Sequence, residues 1–480
     1  MARILEKLQT LSESDFYPYH MPGHKRVGNE AFALDITEID GFDNLHHATG
    51  ILKEAQARAA KLYGAQESVD LVNGSTCGIL AAVFASFPRG DKVLVARNCH
   101  KAVYHAMELR GLRPVYIYPE ADDEYDISVG IKAEQVEEVL SCPEEYQTHK
   151  FSGDMSCCEE IKGMILTSPT YEGITSEIKE IAELLHQKNM VLIVDEAHGA
   201  HFGFHEAFPE SAVTLGADLV IQSLHKTLPS MTQTALLHRC SERIPHGKVQ
   251  KYLDVFQTSS PSYVFMAHMD ECIRMLEKQG NKAFSQFALR LEDFYKRCES
   301  LEHIKVHRSS DPGKIVIKAK ACSGRELYHI LRTRFCLQME MCAGNYVLGI
   351  MTVNDSVEGY ERLWDALFCL DKEFVQLPAE ETGEDKEVTL SSLLKEKPEI
   401  LLYPYETETC LSETVSFMEA VGRMSAEYVY LYPPGIPYIV PGEVFSAQMV
   451  KSMEALQKSG YELQGMEDSS GKTVKVVIKG

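Results

Sequence analysis

Five short runs between residues 92 and 222 constrain the fold most: "KVLVA" (92–96), "PVYIY" (114–118), "GMILT" (163–167), "VLIVD" (191–195) and "DLVIQ" (218–222). Each is apolar on successive positions, whereas a strand with one wet face alternates; such runs need cover on both faces. Stretches of helical character lie between several of them, at 74–87 and at 176–189 ("SEIKEIAELLHQKN"). Strand–helix alternation of this kind predicts an α/β fold built on a mainly parallel sheet with helices on both faces. Ligands of such sheets sit outside the carboxyl ends of the strands, so the residues just after each run are the ones to read.

The pattern changes after about residue 265. A long helical segment (265–300) leads into a smaller α+β region with "GKIVIKA" (313–319), a helix over 324–334 and "YVLGIMTV" (346–353). The charged stretch "PAEETGEDKEV" (378–388) reads as a linker or exposed loop. Beyond it, "YVYLYPPGIPYIVPGE" (428–443) opens a C-terminal domain. The division expected is an N-terminal arm and entrance segment (1–64), a large ligand-binding domain (65–300), a small α+β domain (301–377) and a C-terminal domain (378–480).

A net charge of −22 argues against nucleic acid and anionic membrane surfaces as partners and is compatible with a cationic substrate. The thirteen cysteines form no paired CxxC clusters, and "SCC" at 156–158 is the only adjacent pair, which suggests reduced thiols. The N-terminus, "MARILEKLQTLSESDFYPYH", lacks the apolar core of a signal peptide. No apolar run is long enough to cross a bilayer. The expected location is the cytoplasm.

Three strand ends carry chemistry. "VLIVD" ends in Asp195, a carboxylate able to hold a proton on a heteroaromatic nitrogen lying over the sheet edge. "IQSLHKTLPS" (221–230) puts Lys226 just after the next strand, where a lysine can form a Schiff base with an aldehyde cofactor. "LVNGSTCGILAAV" (71–83) sets Gly74, Ser75 and Thr76 at the start of a helix, an anion site with no Walker lysine; Ser223 and His225 can add donors. A phosphate cradle, a carboxylate for a ring nitrogen and a Schiff-base lysine, in that order, are what pyridoxal 5'-phosphate requires. His100, after the "KVLVA" strand, can lie flat against the ring.

With these residues in view, the sequence resembles the Orn/Lys/Arg decarboxylase family. The resemblance rests on "HMPGHKR" (20–26), "GFDNLHHATG" (41–50), "LVNGSTCG" (71–78), "RNCHKAVYHA" (97–106), "TSPTYEG" (167–173), "VDEAHGAH" (194–201), "QSLHKTL" (222–228), "QTSSPSY" (257–263) and "YPPGIPYIVPGE" (432–443). It is similar to the shorter branch, without the N-terminal wing domain.

The resemblance implies a seven-stranded, aminotransferase-like fold-type-I architecture and α-decarboxylation of a basic amino acid. It implies that Lys226 binds the cofactor as an imine, Asp195 pairs with the pyridinium and His100 stacks on the ring. Gly74, Ser75, Thr76, Ser223 and His225 would hold the phosphate, Ala197 would pack beneath the ring, and His198 belongs to the same cofactor-binding set. Ser260, in "SSPSY", would reach the phosphate of a neighbouring subunit, making a homodimer with shared sites the smallest competent unit, with a higher oligomer open. Asp43 and Glu340 are candidates for the distal cation of the substrate. Short-branch members resemble biosynthetic arginine decarboxylases supplying polyamine synthesis, so arginine is expected ahead of lysine and ornithine.

Three rivals are weighed against this. An aminotransferase would hold the substrate carboxylate with an arginine such as Arg332 or Arg334. A metal site built on His198, His201 and His205 would need a helical face, which Gly199 and Gly203 oppose, so no metal is expected. A non-catalytic cofactor-binding regulator would want a DNA-binding module that neither the N-terminus nor the charge suggests.

Overall fold

The computed structural model describes residues 3–122, 124–141, 161–375, 397–432, 435–458 and 462–478. The cysteine pair at 157–158, the 378–388 stretch and Pro433–Pro434 lie outside them. The chain forms two compact units, Met1–Pro88 with Ile178–Gln286, and Arg89–Glu177 with Phe287–Gly480.

The large sheet has seven strands: β1 (Glu67–Leu71), β2 (Lys92–Ala96), β3 (Arg113–Ile117), β4 (Gly163–Thr167), β5 (Val191–Asp195), β6 (Leu219–Ser223) and β7 (Ala235–Arg239). Four belong to the first unit in the order β1-β7-β6-β5, and three to the second in the order β4-β2-β3. Strand β2 runs parallel to β3 and β4, and β5 parallel to β6. Strand β7 runs antiparallel to both β6 and β1. Every residue of β2, β6 and β7 is buried, which is why these runs carry no polar alternation.

The five runs read from the sequence are β2 to β6, each within one residue at either end. The outer pair, β1 and β7, was not read, because Ser68, Asp70 and His238 interrupt their apolar character. The antiparallel return of β7 follows from its short connection. A parallel pair needs a crossover of a dozen or more residues, and the link 224–234 holds one turn of helix.

Helices of the α/β part include α1 (Ile51–Tyr63), α2 (Gly74–Ser86), α3 (Lys101–Arg110), α4 (Ile178–Gln187), α5 (Leu224–Thr227), α6 (His246–Phe256) and α7 (Tyr263–Cys298). Helix α2 is apolar around most of its girth and buries Cys77, Ile79, Ala81, Ala82, Val83 and Ala85. It closes on the sheet at Gly78, where a Cβ would lie 2.5 Å from Leu71 Cδ1 and 3.2 Å from Ile221 Cγ2.

The second unit adds a four-stranded antiparallel sheet. Its strands are β8 (Ile304–Arg308), β9 (Lys314–Ala319), β10 (Met341–Ala343) and β11 (Tyr346–Ile350), in the order β8-β9-β11-β10. Helix α8 (Gly324–Arg334) starts on a capping box in which Ser323 and Glu326 satisfy each other's backbone N–H groups. Helix α9 (Val357–Phe374) follows. The C-terminal segment holds two small sheets around a core that includes Val429, Ile439, Phe445, Met453, Val474 and Val476.

Candidate active site

In the first unit, β5 and β6 are parallel with Asp195 opposite Ile221, and β1 shares their direction because β7 opposes both β6 and β1. Their carboxyl ends therefore open on one edge. Helix α2 begins there at Gly74, whose φ of +73° lies in the left-handed region that glycine adopts without strain. Ser75 Oγ and Ser223 Oγ are 2.6 Å apart, which ties the first turn of α2 to the end of β6. Gln233 Nε2 donates to Val72 O at 2.6 Å just ahead of that turn. Thr76 is exposed in the same turn, where the backbone N–H groups have no intrahelical acceptor.

Lys226 lies three residues beyond β6, within the one-turn helix α5 rather than at the strand tip, and is half-buried. Its Nζ is 3.0 Å from His198 Nε2. Asp195 is buried, and its Oδ1 accepts the Ala197 N–H at 3.2 Å. Burial raises the Asp195 carboxyl above its ordinary range, while the charge of Lys226 and the Ala197 N–H pull it back. His225 Nδ1 is 3.0 Å from Thr234 O; a carbonyl only accepts, so that nitrogen carries the proton. Burial lowers the His225 pKa, and the nearby Lys226 charge adds to this against the Thr234 hydrogen bond. Neutral His225 therefore presents an acceptor at Nε2.

Residues 6–344 match the family described as Orn/Lys/Arg decarboxylase, major domain, and residues 390–475 match its C-terminal domain. The chain belongs to the Orn/Lys/Arg decarboxylase family. It is 34% identical over 487 residues to the uncharacterized protein YaaO of Bacillus subtilis, covering 96% of each chain. It is 31% identical to an arginine decarboxylase of the same organism, over 96% of this chain and 94% of the relative. The lysine decarboxylase LdcF of Francisella novicida superposes with a TM-score of 0.84 at 19% identity, covering 99% of this chain and 81% of that one. That likeness speaks for the fold. The protein is a pyridoxal-phosphate-dependent decarboxylase of basic amino acids.

The decarboxylase's first unit fits that cofactor. A buried carboxylate with one backbone donor on it asks for a cationic partner such as a pyridinium. A lysine held against an imidazole, and a helix start flanked by two serine hydroxyls, complete the donor set.

The other residues named from the sequence have these places. His100 belongs to the second unit, exposed at the N-cap of α3, where Nδ1 accepts the Ala102 N–H at 3.2 Å. Asp43 accepts the backbone N–H groups of Asn44, Thr49, Gly50 and Leu52 at 2.7–3.1 Å. Glu340, in the second unit, accepts from Tyr171 Oη at 2.5 Å. Ser260 is exposed in the loop before α7, and Thr258 of that loop is held by His46 Nε2 at 2.9 Å. Arg334 makes a two-fold ion pair with Glu373.

Around 198–205 the backbone is a series of turns. The His201 ring packs on Phe202, Phe208 and Phe284. Among the described residues no three His, Cys, Asp or Glu side chains are grouped to hold a metal ion.

Residues that sequence reasoning missed stand directly behind the site. Glu196, Gln222 and His238 are all buried polar groups: Glu196 follows Asp195, Gln222 precedes Ser223, and His238 lies across from Val220 of β6. A polar residue inside an apolar strand, such as Gln222 or His238, is the signal that could have found them, because its burial demands a partner.

Proposed function

We propose that this decarboxylase converts L-arginine to agmatine and CO2. Arginine decarboxylases of Bacillus subtilis and Bacillus anthracis support this choice, at 31% and 30% identity over 96% of the chain. The observation that carries the catalytic reading is the Lys226–His198 contact beside buried Asp195.

In this reading Lys226 would hold the cofactor covalently and His198, 3.0 Å away, would take the proton that frees its amine. Asp195 stays anionic and keeps a proton on the ring nitrogen. Gly74, Ser75, Thr76 and Ser223 bind the phosphate. His225 joins them as an imidazolium, a state that a neighbouring phosphate favours. Ala197 would pack under the ring and His100 would stack on it. Once bound, pyridoxal phosphate supplies the electron sink for the pair left by the departing carboxylate. The chain's part is to orient the breaking bond and keep the ring protonated.

The same reading places Ser260 at the site of a second subunit, so a homodimer is the working unit, and Asp43 or Glu340 near the distal guanidinium. Agmatine so made would feed polyamine synthesis in the cytoplasm; among the described residues no helix is long and apolar enough to cross a membrane.

A visible spectrum and a product assay test the reading. We expect a band at about 420 nm from the lysine-bound cofactor, its loss in Lys226→Ala, and agmatine from arginine. Cadaverine from lysine or putrescine from ornithine would replace the substrate and keep the mechanism. Absence of the band after cofactor addition would overturn the role of Lys226.

A further inference from the structure

Glu196 follows the cofactor carboxylate Asp195 and is 2% exposed. Its Oε1 accepts the Ala212 N–H at 2.7 Å, and its Oε2 accepts from Ser211 Oγ at 2.7 Å and Gln222 Nε2 at 2.6 Å. Gln222 Oε1 lies 3.0 Å from His238 Nε2, and His238 Nδ1 lies 2.7 Å from Ser68 Oγ. Gln222 and His238 are wholly buried, so each of these groups must find its partner inside the chain. Gly199 leaves room for the arrangement, since a Cβ there would meet Glu196 Cγ at 2.6 Å.

Donor sense runs one way along this chain. The Ala212 N–H, the Ser211 hydroxyl and the Gln222 amide all donate to Glu196, as an ionised carboxylate requires. Gln222 Oε1 must then accept from His238 Nε2–H, and His238 Nδ1 from the Ser68 hydroxyl. If Glu196 takes up a proton, it donates to Gln222, the amide turns over, and His238 must accept at Nε2 and carry its proton on Nδ1 toward Ser68. One proton is gained overall. The number on His238 is unchanged, its site moved by exchange.

We propose that Glu196 is a positioning residue for Asp195 and that the Glu196–Gln222–His238–Ser68 chain is a two-state hydrogen-bond wire that reports and fixes its charge. With Glu196 anionic, a second buried carboxylate one residue along the chain from Asp195 strengthens the hold on a proton at the ring nitrogen. With Glu196 neutral, that hold weakens. This rests on the assignment of Asp195 to the cofactor ring.

The charge of Glu196 acts on Tyr63 from α1 and on Cys240 just beyond β7, and His238 from β7 reaches it through Gln222. Burial holds all three neutral: it raises the Tyr63 hydroxyl, pushes the Cys240 thiol up to about 12 and brings His238 down to about 3. Lys226 acts on Asp195 and Asp218 on Cys240. Glu196, raised by burial to about 7 against its three donors, is left to titrate near neutrality.

The test uses the holoenzyme with 15N-labelled histidine, reading the His238 tautomer by long-range proton–nitrogen correlation and the bound cofactor by visible absorption. In the unsubstituted protein His238 should switch from Nε2–H to Nδ1–H as pH falls through about 7. Glu196→Gln, which keeps the shape and removes the charge, should lock Nδ1–H at every pH and abolish the matching inflection in the cofactor spectrum. Gln222→Met cuts the wire and should leave the tautomer indifferent to pH, which serves if Glu196→Gln does not fold. A Glu196→Gln protein with unchanged tautomer, or with an unchanged cofactor titration, would overturn the proposal. A normal tautomer switch with no cofactor band in the unsubstituted protein would instead overturn the Lys226 assignment alone.

Discussion

Replacing Glu443 by alanine strands a charge three residues before His100. Arg97 is 3% exposed; its Nη2 donates to Glu443 Oε2 at 2.9 Å and to Tyr438 O at 3.2 Å, and its Nη1 to Tyr104 Oη at 3.1 Å. The guanidinium also lies 5.0 Å from the Tyr116 ring centroid. Glu443 is itself fully buried, with the Val440 N–H on Oε2 at 2.9 Å. Burial lifts its carboxyl from 4.5 to about 6, so attraction to Arg97 does not offset all of its desolvation. That rise corresponds to roughly 2 kcal/mol. Leaving one charge of a buried pair alone typically destabilises by about 3–5 kcal/mol, whereas replacing both by apolar groups is often neutral or better. Glu443→Ala should therefore lose about 3–5 kcal/mol, and Arg97→Met with Glu443→Leu about 2 kcal/mol or less. Trp364, the one tryptophan in the chain and part of α9 in the second unit, reports unfolding in urea by fluorescence. The pH dependence has a definite sign. With the folded pKa above the unfolded one, the Glu443 contribution is full below about 4.5 and is lost as pH rises through about 6. Glu443→Ala should flatten that window. A double variant as unstable as the single one would refute the unpaired-charge argument.

Three further outcomes are expected. Ser75→Ala and Ser223→Ala should each weaken cofactor binding about 5- to 10-fold, as loss of one hydroxyl donor of about 1 kcal/mol does, measured by titrating the apoenzyme with pyridoxal phosphate. Gly78→Ala, whose Cβ falls 2.5 Å from Leu71 Cδ1, should destabilise the protein by about 1–3 kcal/mol, seen as a lower melting temperature; an unchanged one would mean that α2 can move off β1. His238, held at about 3 against an ordinary 6.5, contributes stability present above pH 6.5 and lost as pH falls toward about 3. In His238→Gln the urea midpoint should depend less on pH across that range.

The sheet was legible because burial on both faces writes itself as continuous apolar runs, and α2 because "NGST" opens an apolar stretch after a strand. Strands β1 and β7 were not, since His238 is made compatible with burial by Gln222 and by Ser68, the latter 170 residues away. Lys226 and Asp195 could be read from strand ends. That Lys226 sits a turn beyond its strand could not, because the helical turn 224–227 is too short to show a period. The sequence offers Asp43 as a candidate for the substrate's distal cation; its four backbone donors come from a loop that folds back on it, which spacing alone does not disclose. The partners of Glu196 are likewise hidden, arriving from the turn at 211–212 and from β6.

The Arg97–Glu443 pair also bears on how the chain is made. Its partners are 346 positions apart. At a synthesis rate of roughly 5–20 residues per second, Arg97 leaves the ribosome about 20–70 s before the carboxylate that neutralises it. The first unit, complete at Gln286, can close around its lysine well within that interval. The second unit cannot pair its arginine with that carboxylate until position 443 has been translated.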